Sequence, residues 1–201
     1  MTASVINLQD NLPTAEQYLT LEGVSWQQYD ALVALFIDQF PALRMTYVEG
    51  TLELMTTSSE HERLKTIIAR LIESFAEEAD IVLNGYGSAT FRQEAAARGL
   101  EPDECYSLGE LGAAPDIAIE IVLTSGGIDK LKVYKGLGVQ EVWFWENQQF
   151  RLYNLIDPET GYEPLSASRL MPGLDLDLLA QFLDYPSQTQ AVKAFRKLLR
   201  G

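Results

Sequence analysis

The fold of this chain is decided by residues Ala114 to Glu146, APDIAIEIVLTSGGIDKLKVYKGLGVQEVWFWE. Residues 117–123 are a short, nearly continuous apolar run, which is typical of a strand covered on both faces. Glu120 interrupts this run. Burying a carboxylate there is costly unless a cation or hydrogen-bond donors compensate it. We therefore interpret Glu120 as a functional candidate, and the alternative is a structural glutamate paired with an arginine.

A short helix is predicted from about residue 128 to 137, followed by a strand over residues 141–146. Strand, helix and strand predict a right-handed crossover unit with parallel strands. Helical projection puts Lys130 near the centre of the apolar face, whereas Lys132 and Lys135 point to solvent. Lys130 is thus either close to the Glu120 carboxylate or a lysine whose stem covers apolar surface.

Upstream of this unit, local patterns predict helices and a hairpin. Two Ser/Thr-x-x-Gln capping boxes, Thr14 with Gln17 and Ser25 with Gln28, each predict the start of a helix. Residues 45–48 and 51–55 predict a hairpin around the turn at residues 49–50.

A long helix is predicted from about residue 60 to 79, capped by residues 56–59. Its helical wheel places Glu60 within the buried stripe and His61 at the edge of that stripe. Two interpretations of Glu60 remain open, because an acidic residue in the first turn also compensates the helix dipole. It either faces the pocket of Glu120 or only stabilises the helix start. For His61 a structural role is favoured over catalysis.

Two Pro-Asp pairs supply candidate partners for Glu120. Strands are predicted over residues 81–84, 88–94 and 100–107, and the third contains Asp103. Asp116 shares a face of the later strand with Glu120, since side chains alternate. Four residues of extended chain span roughly 13 Å, however, which is too far for two carboxylates to share one metal ion. Asp103, on the preceding predicted strand, is the other candidate partner of Glu120.

Composition limits the class of protein. The 201 residues, 47% hydrophobic and 22% charged, predict one globular domain over residues 1–201, with a core at about 40–155. We expect the flanking elements to pack on that core: N-terminal helices, strands near 150–155 and 162–168, and helices near 174–183 and 188–199. The absence of a long apolar run predicts no membrane span. A single cysteine predicts a reducing, cytoplasmic location.

Charge and histidine content limit the chemistry. The net charge of −14 argues against general DNA coating, which requires a basic footprint. A single histidine excludes a multi-histidine metal site, so any metal ion is held by oxygen ligands. Paired carboxylates can hold a divalent cation that also binds a phosphate oxygen, and an ammonium group can stabilise the developing charge.

Four stretches carry a resemblance to a known family. They are SSEH at residues 58–61, EPD at 101–103, APDIAIEIV at 114–122 and DKLKVYKGLGVQEVWFWE from Asp129. Over roughly residues 40–155 the chain resembles the PD-(D/E)XK nuclease superfamily, in the restriction endonuclease branch called Uma-two or domain of unknown function 820. The resemblance implies an α/β fold, with a restriction-endonuclease-like core and a mixed central β-sheet flanked by helices. It also implies Mg²⁺-dependent DNA cleavage, with Mn²⁺ as an alternative metal.

The family's two acidic positions match Asp103 and Glu120, which the resemblance makes catalytic residues and metal ligands. The superfamily's lysine normally stands two residues after the glutamate, where this chain has Val122. The resemblance implies that this lysine has moved to Lys130. Glu60 completes the catalytic candidates.

His61 and Asp116 are the candidate substrate-binding residues. Two functions follow as hypotheses. One is a DNA endonuclease, expected to be a homodimer. The other is a non-catalytic nucleic-acid-binding or scaffolding protein that keeps the nuclease fold. DNA as a partner is expected from the resemblance and not from the charge.

Overall fold

The computed structural model describes residues 15–37, 39–40, 42–110, 112–124 and 126–201. The strands are β1 (Gln17–Leu21), β2 (Leu43–Val48), β3 (Thr51–Thr56), β4 (Asn84–Gly85), β5 (Phe91–Gln93), β6 (Arg98–Leu100), β7 (Glu104–Ser107), β8 (Ile117–Val122), β9 (Glu141–Glu146), β10 (Gln149–Asp157) and β11 (Gly161–Leu165). The helices are α1 (Trp26–Phe36), α2 (Ser59–Glu78), α3 (Lys130–Leu137), α4 (Leu176–Ala180) and α5 (Gln188–Leu199), with a 3₁₀ turn at Glu94–Ala96.

The strands form two sheets. The first has the order β1-β3-β2-β6-β5, and its strand pairs are antiparallel. The second has the order β11-β10-β9-β8-β7-β4. In this second sheet β8 and β9 are parallel, whereas the other pairs are antiparallel. The predicted α/β fold with a mixed central sheet flanked by helices is confirmed, and so is the parallel pairing of the strands around α3.

The two faces of the second sheet pack against different helices. Ile117, Ile119 and Ile121 on β8 belong to the apolar cluster formed with α2, α4 and α5. Ala118, between them, packs in a separate cluster with Val133 and other residues of α3. Because side chains alternate along a strand, Glu120 shares its face with Ala118 and points to the α3 side. This alternation positions the candidate site.

The Ser25–Gln28 capping box and the predicted hairpin are confirmed, but the prediction of a helix that starts at Thr14 is wrong. Ser25 caps α1 in a complete capping box, and β2 and β3 pair antiparallel. Thr14 lies outside the described residues, whereas Gln17 begins the edge strand β1 and pairs with β3. Pairing with β3 supplies backbone hydrogen bonds that a local capping motif cannot predict.

The strand predicted over residues 100–107 is divided into β6 and β7. Pro102 lies at the break, where it has no backbone N–H to donate to a strand ladder. The division leaves Asp103 directly before β7. Near the C-terminus, α4 covers only Leu176–Ala180 of the helix predicted over residues 174–183.

Candidate active site

The Glu120 carboxylate is fully buried and accepts two hydrogen bonds from helix α3. Its side chain is 0% exposed in the middle of β8. Lys130 Nζ donates to Oε2 at 2.5 Å, and the Tyr134 hydroxyl donates to Oε1. Of the two interpretations of Lys130, the structure therefore supports the one in which its ammonium approaches Glu120.

Local sequence explains how α3 delivers these donors. Asp129 caps the helix by accepting a hydrogen bond from Leu131 N at 3.1 Å, so Lys130 is the first helical residue. Tyr134 follows four residues later and lies on the same face. Lys132 is exposed, and Lys135 Nζ donates to the Glu159 carbonyl instead. The helical projection therefore distinguished the three lysines as the structure does.

Asp103 lies beside Glu120 on the neighbouring strand. Glu104 pairs with Ile119, so Asp103, one residue earlier, faces the register position of Glu120. The Asp103 side chain is 2% exposed, and its Oδ2 accepts a hydrogen bond from Ile121 N at 2.7 Å. The second Pro-Asp pair does not reach this place. Asp116 accepts a hydrogen bond from Leu108 N at 2.8 Å and is not among the partners of Glu120 or Asp103 within the described residues.

His61 joins Asp103 to a third carboxylate. Its Nε2 lies 2.9 Å from Asp103 Oδ1 and its Nδ1 lies 2.6 Å from Glu16 Oε1. The imidazole is 0% exposed and the Glu16 side chain is 1% exposed. Glu16 Oε2 also accepts hydrogen bonds from the Thr124 hydroxyl and Thr124 N. His61 is thus a buried bridge between two carboxylates, in agreement with the structural role favoured for it, and it has no surface for direct substrate contact.

The charges of the site follow from this burial and pairing. Burial raises the pKa of Glu120 to about 7, and the Asp103 carboxylate adds to the increase although Lys130 opposes it. Burial alone would raise the pKa of Asp103 as well, but His61 and Lys130 hold it at about 2. Burial lowers the pKa of Lys130, yet Glu120 and Asp103 outweigh it and the net shift is upward.

The pKa of His61 responds to the same balance. Burial would lower it, but Asp103 and Glu16 raise it to about 9. At neutral pH His61 and Lys130 are therefore cationic and Asp103 is anionic, whereas Glu120 is close to its midpoint.

The structure does not bring Glu60 to this site, and the prediction that it lies in the buried stripe of α2 is wrong. Its side chain is 53% exposed and forms an ion pair with Arg63 at 2.7 Å. This arrangement matches the other interpretation, an acidic residue in the first turn of a helix. The helical wheel gave a correct direction for Leu64 and Ile68, which are buried. It failed at Glu60 because His61, which the wheel placed at the edge of the stripe, is the first-turn residue that packs inward.

Asp103 and Glu120 are the residues of this site whose chemistry suits a divalent metal ion. The two carboxylates offer hard oxygen ligands, and each of their four oxygens accepts or faces one donor, which leaves further lone pairs. Mg²⁺ is commonly bound through one or two carboxylates, with water and phosphate oxygens as the remaining ligands. Among the residues that the structure describes, no larger group of His, Cys, Asp or Glu side chains could hold a metal ion. Asp103 and Glu120 are thus a two-carboxylate site.

Sequence reasoning missed two residues of the site. Tyr134 falls on the apolar face of α3 by helical periodicity, which predicts only a core residue; its hydroxyl, four residues after Lys130, is the signal that could have found it. Glu16 carried no signal, because it reaches His61 and Thr124 across 45 and 108 positions of sequence.

The fold and the site define a mixed α/β protein with two buried carboxylates, one on β8 and one directly before β7, and a lysine from α3 that contacts the first of them. The chain belongs to the Uma2 family, described as "Putative restriction endonuclease", whose profile matches residues 26–183. A solved structure similar to the chain is "a putative nuclease belonging to DUF820" from Anabaena variabilis ATCC 29413. The identity is 16% over 69% of this chain and 90% of that chain, with a TM-score of 0.46. No curated protein matches the chain. Within the described ranges, no helix has the length and apolarity needed to cross a membrane.

Proposed function

We propose that this protein is a metal-dependent DNA endonuclease that hydrolyses phosphodiester bonds with Mg²⁺ or Mn²⁺. The observation that carries the proposal is the 2.5 Å contact between Lys130 and Glu120, with Asp103 at the adjacent register position. A lysine and two carboxylates in one buried place are the groups that metal-assisted phosphoryl chemistry requires. Family membership supports nuclease activity in general terms. The homodimer and the cytoplasmic location stay predictions.

Each side chain has a role in this proposal. Asp103 and Glu120 would hold the metal ion. Bound there, the ion would polarise the phosphate and acidify a water molecule. Lys130 uses one of its three N–H donors on Glu120, which leaves two for a phosphate oxygen or the attacking water. Its ammonium group stabilises the negative charge that develops in the transition state.

Two residues position these groups. The Tyr134 hydroxyl donates a hydrogen bond to Glu120 and so fixes the orientation of the Glu120 carboxylate. His61 lies against Asp103, which keeps that carboxylate ionised at neutral pH. Neither residue needs to touch the substrate. Both act by restricting the rotamers of the proposed metal ligands, as supporting shells do in other metal sites.

A nicking assay with supercoiled plasmid and Mn²⁺ tests the role of Lys130. We expect Lys130→Met to lower turnover by on the order of 10² or more, the effect of removing one preorganised charge. Lys132→Met is the matched control because Lys132 lies on the same helix and is exposed. Lys135→Met is a second control. Equal losses in all three variants would mean that the lysines act as a generic basic surface.

Calorimetric titration with Mn²⁺ tests the metal ligands. The double variant Asp103→Asn/Glu120→Gln should lose metal binding, because two neutral amides replace two carboxylates. Lys130→Met should retain Mn²⁺ binding, since an ammonium group is not a ligand. If the double variant binds Mn²⁺ like the wild type, the ligand assignment is wrong. Metal binding without any nicking by the wild type would favour the alternative, a non-catalytic protein that keeps the nuclease fold.

A further inference from the structure

An open cavity of about 240 Å³ borders the Lys130 side chain. Residues of both sheets and of α3 line it. Ile121 and Val122, at the end of β8 directly after Glu120, form part of its wall. Lys130 therefore contacts Glu120 and borders the cavity at once. A phosphate held at Lys130 would place its neighbouring nucleoside at the mouth of this cavity.

Aromatic rings line two sides of the cavity. Phe144 on β9 and Tyr153 on β10 are half-buried, with ring centroids 5.8 Å apart and planes at 84°. Tyr18 on β1 lines the cavity from the other sheet, and its hydroxyl donates to the Thr124 carbonyl at 3.0 Å. Half-buried rings around an open space are the surfaces on which nucleobases stack, with little dependence on their sequence.

The charges around the cavity favour a base over a phosphate. Among the described residues that line it, the cations are Lys130 and Arg151 and the carboxylates are Glu53, Asp129 and Glu146, so the formal sum of these charges is −1. A phosphate inside would face more negative than positive charge. A neutral base instead presents N–H donors that a carboxylate can accept.

One of these carboxylates is placed to accept such donors. Glu53 is 2% exposed, and its Oε2 accepts hydrogen bonds from Gly127 N and Ile128 N. Asp129 uses Oδ1 to cap α3. Glu146 is 29% exposed and forms a loose ion pair with Arg151 at 3.3 Å. Among the lining carboxylates that the structure describes, Glu146 is therefore the one whose oxygens are least engaged by backbone N–H groups.

The size of the cavity suits a single base. Its volume of about 240 Å³ lies below the roughly 300–1,000 Å³ of sites for drug-sized ligands. We infer that this cavity receives one unpaired nucleobase next to the phosphate at Lys130. The substrate class is then single-stranded or locally unpaired DNA. This inference rests on the proposed function and names the substrate of the same site. A base in a duplex would have to be extruded, at the cost of its stacking and pairing.

Binding of oligonucleotides that contain one 2-aminopurine, measured in EDTA to prevent turnover, tests the inference. The probes are a single strand, its perfect duplex and a duplex in which the 2-aminopurine is bulged. We expect the single strand and the bulge to bind about tenfold or more tighter than the duplex, because they avoid the extrusion cost. The emission of the bulged base should be quenched on binding, since it stacks on the rings of the cavity.

Variants test whether the preference for an unpaired base arises in the cavity. Tyr153→Leu should weaken single-strand binding by about tenfold and leave duplex binding unchanged, because one stacking surface is lost. Tyr153→Trp should retain binding, and Tyr86→Leu, at an exposed tyrosine outside the cavity, is the matched control. Equal affinity of the wild type for the single strand and the duplex would overturn the inference, and so would unaltered binding by a folded Tyr153→Leu variant. Absence of Mn²⁺-dependent cleavage would overturn the proposed hydrolysis only and leave this binding preference standing.

Discussion

Replacing Lys130 with methionine tests how the site balances a buried charge. The change keeps an apolar stem but leaves the fully buried Glu120 carboxylate with Tyr134 as its donor. Removing one partner of a buried ion pair costs about 3–5 kcal/mol when the other partner stays charged. Glu120 can avoid part of this cost by taking up a proton. The size of the loss should therefore depend on pH.

The pKa of Glu120 sets the magnitude. It is about 7, above the ordinary value of 4.5, so the folded state binds this proton more tightly than the unfolded state does. The carboxyl group consequently lowers stability as pH rises from 4.5 to 7. In Lys130→Met the pKa of Glu120 rises further, so the variant continues to lose stability as the pH rises above 7. At pH 8, which is one unit above the wild-type pKa, keeping Glu120 protonated lowers the stability of the variant by about 1.4 kcal/mol relative to the wild type. Loss of the hydrogen bond from Lys130 lowers it by about 1 kcal/mol more. We expect a destabilisation of about 2–3 kcal/mol at pH 8 and about 1 kcal/mol at pH 6.

A double-mutant cycle in urea measures this effect. Free energies of unfolding are obtained at pH 6 and pH 8 for the wild type, Lys130→Met, Glu120→Gln and the double variant, with the exposed Lys132→Met as control. With a neutral glutamine at position 120, Lys130→Met should cost less than about 1 kcal/mol at either pH, so the coupling energy at pH 8 is about 1–2 kcal/mol. A cost that is the same at both pH values, or a coupling near zero, would refute the reasoning. Lys130 would then act only through the packing of its stem.

Three further predictions concern residues whose environments differ sharply. Glu60→Ala should leave Mn²⁺ affinity unchanged in calorimetry, because Glu60 is exposed and pairs with Arg63; a lost metal site would contradict the conclusion that Glu60 lies outside the candidate site. Glu141→Leu should lower the free energy of unfolding by about 3 kcal/mol or more in urea, since buried donors, among them Trp143 Nε1 and Ser168 Oγ, lose their acceptor. Glu141→Gln is the matched control and should cost less. Cys105 should resist iodoacetamide at pH 8 until denaturant unfolds the protein, because it is 0% exposed and burial raises the pKa of its thiol to about 12; rapid alkylation of the folded protein would show that the strand opens.

Local sequence determined the central unit of this protein. Alternation along the apolar run placed Glu120 on the α3 face of its strand, and helical periodicity directed Lys130 towards it. These relations hold because they span only a strand, a turn and a helix start, where backbone geometry dictates direction. The pairing of Asp103 with Glu120 was instead expected from the resemblance, whose acidic positions match these two residues, and the register of β7 on β8 places them opposite each other.

Tertiary structure alone decided the rest of the site. Glu16 meets His61 only when β1 pairs with β3, and no local pattern encodes that meeting across 45 positions. The same pairing overrode the capping motif that predicted a helix before Gln17. Glu60 shows the complementary limit. A helical wheel gives the angles of the side chains around the axis, but only the packed neighbours decide where the buried face ends; in the first turn of α2 that face includes His61 and leaves Glu60 exposed.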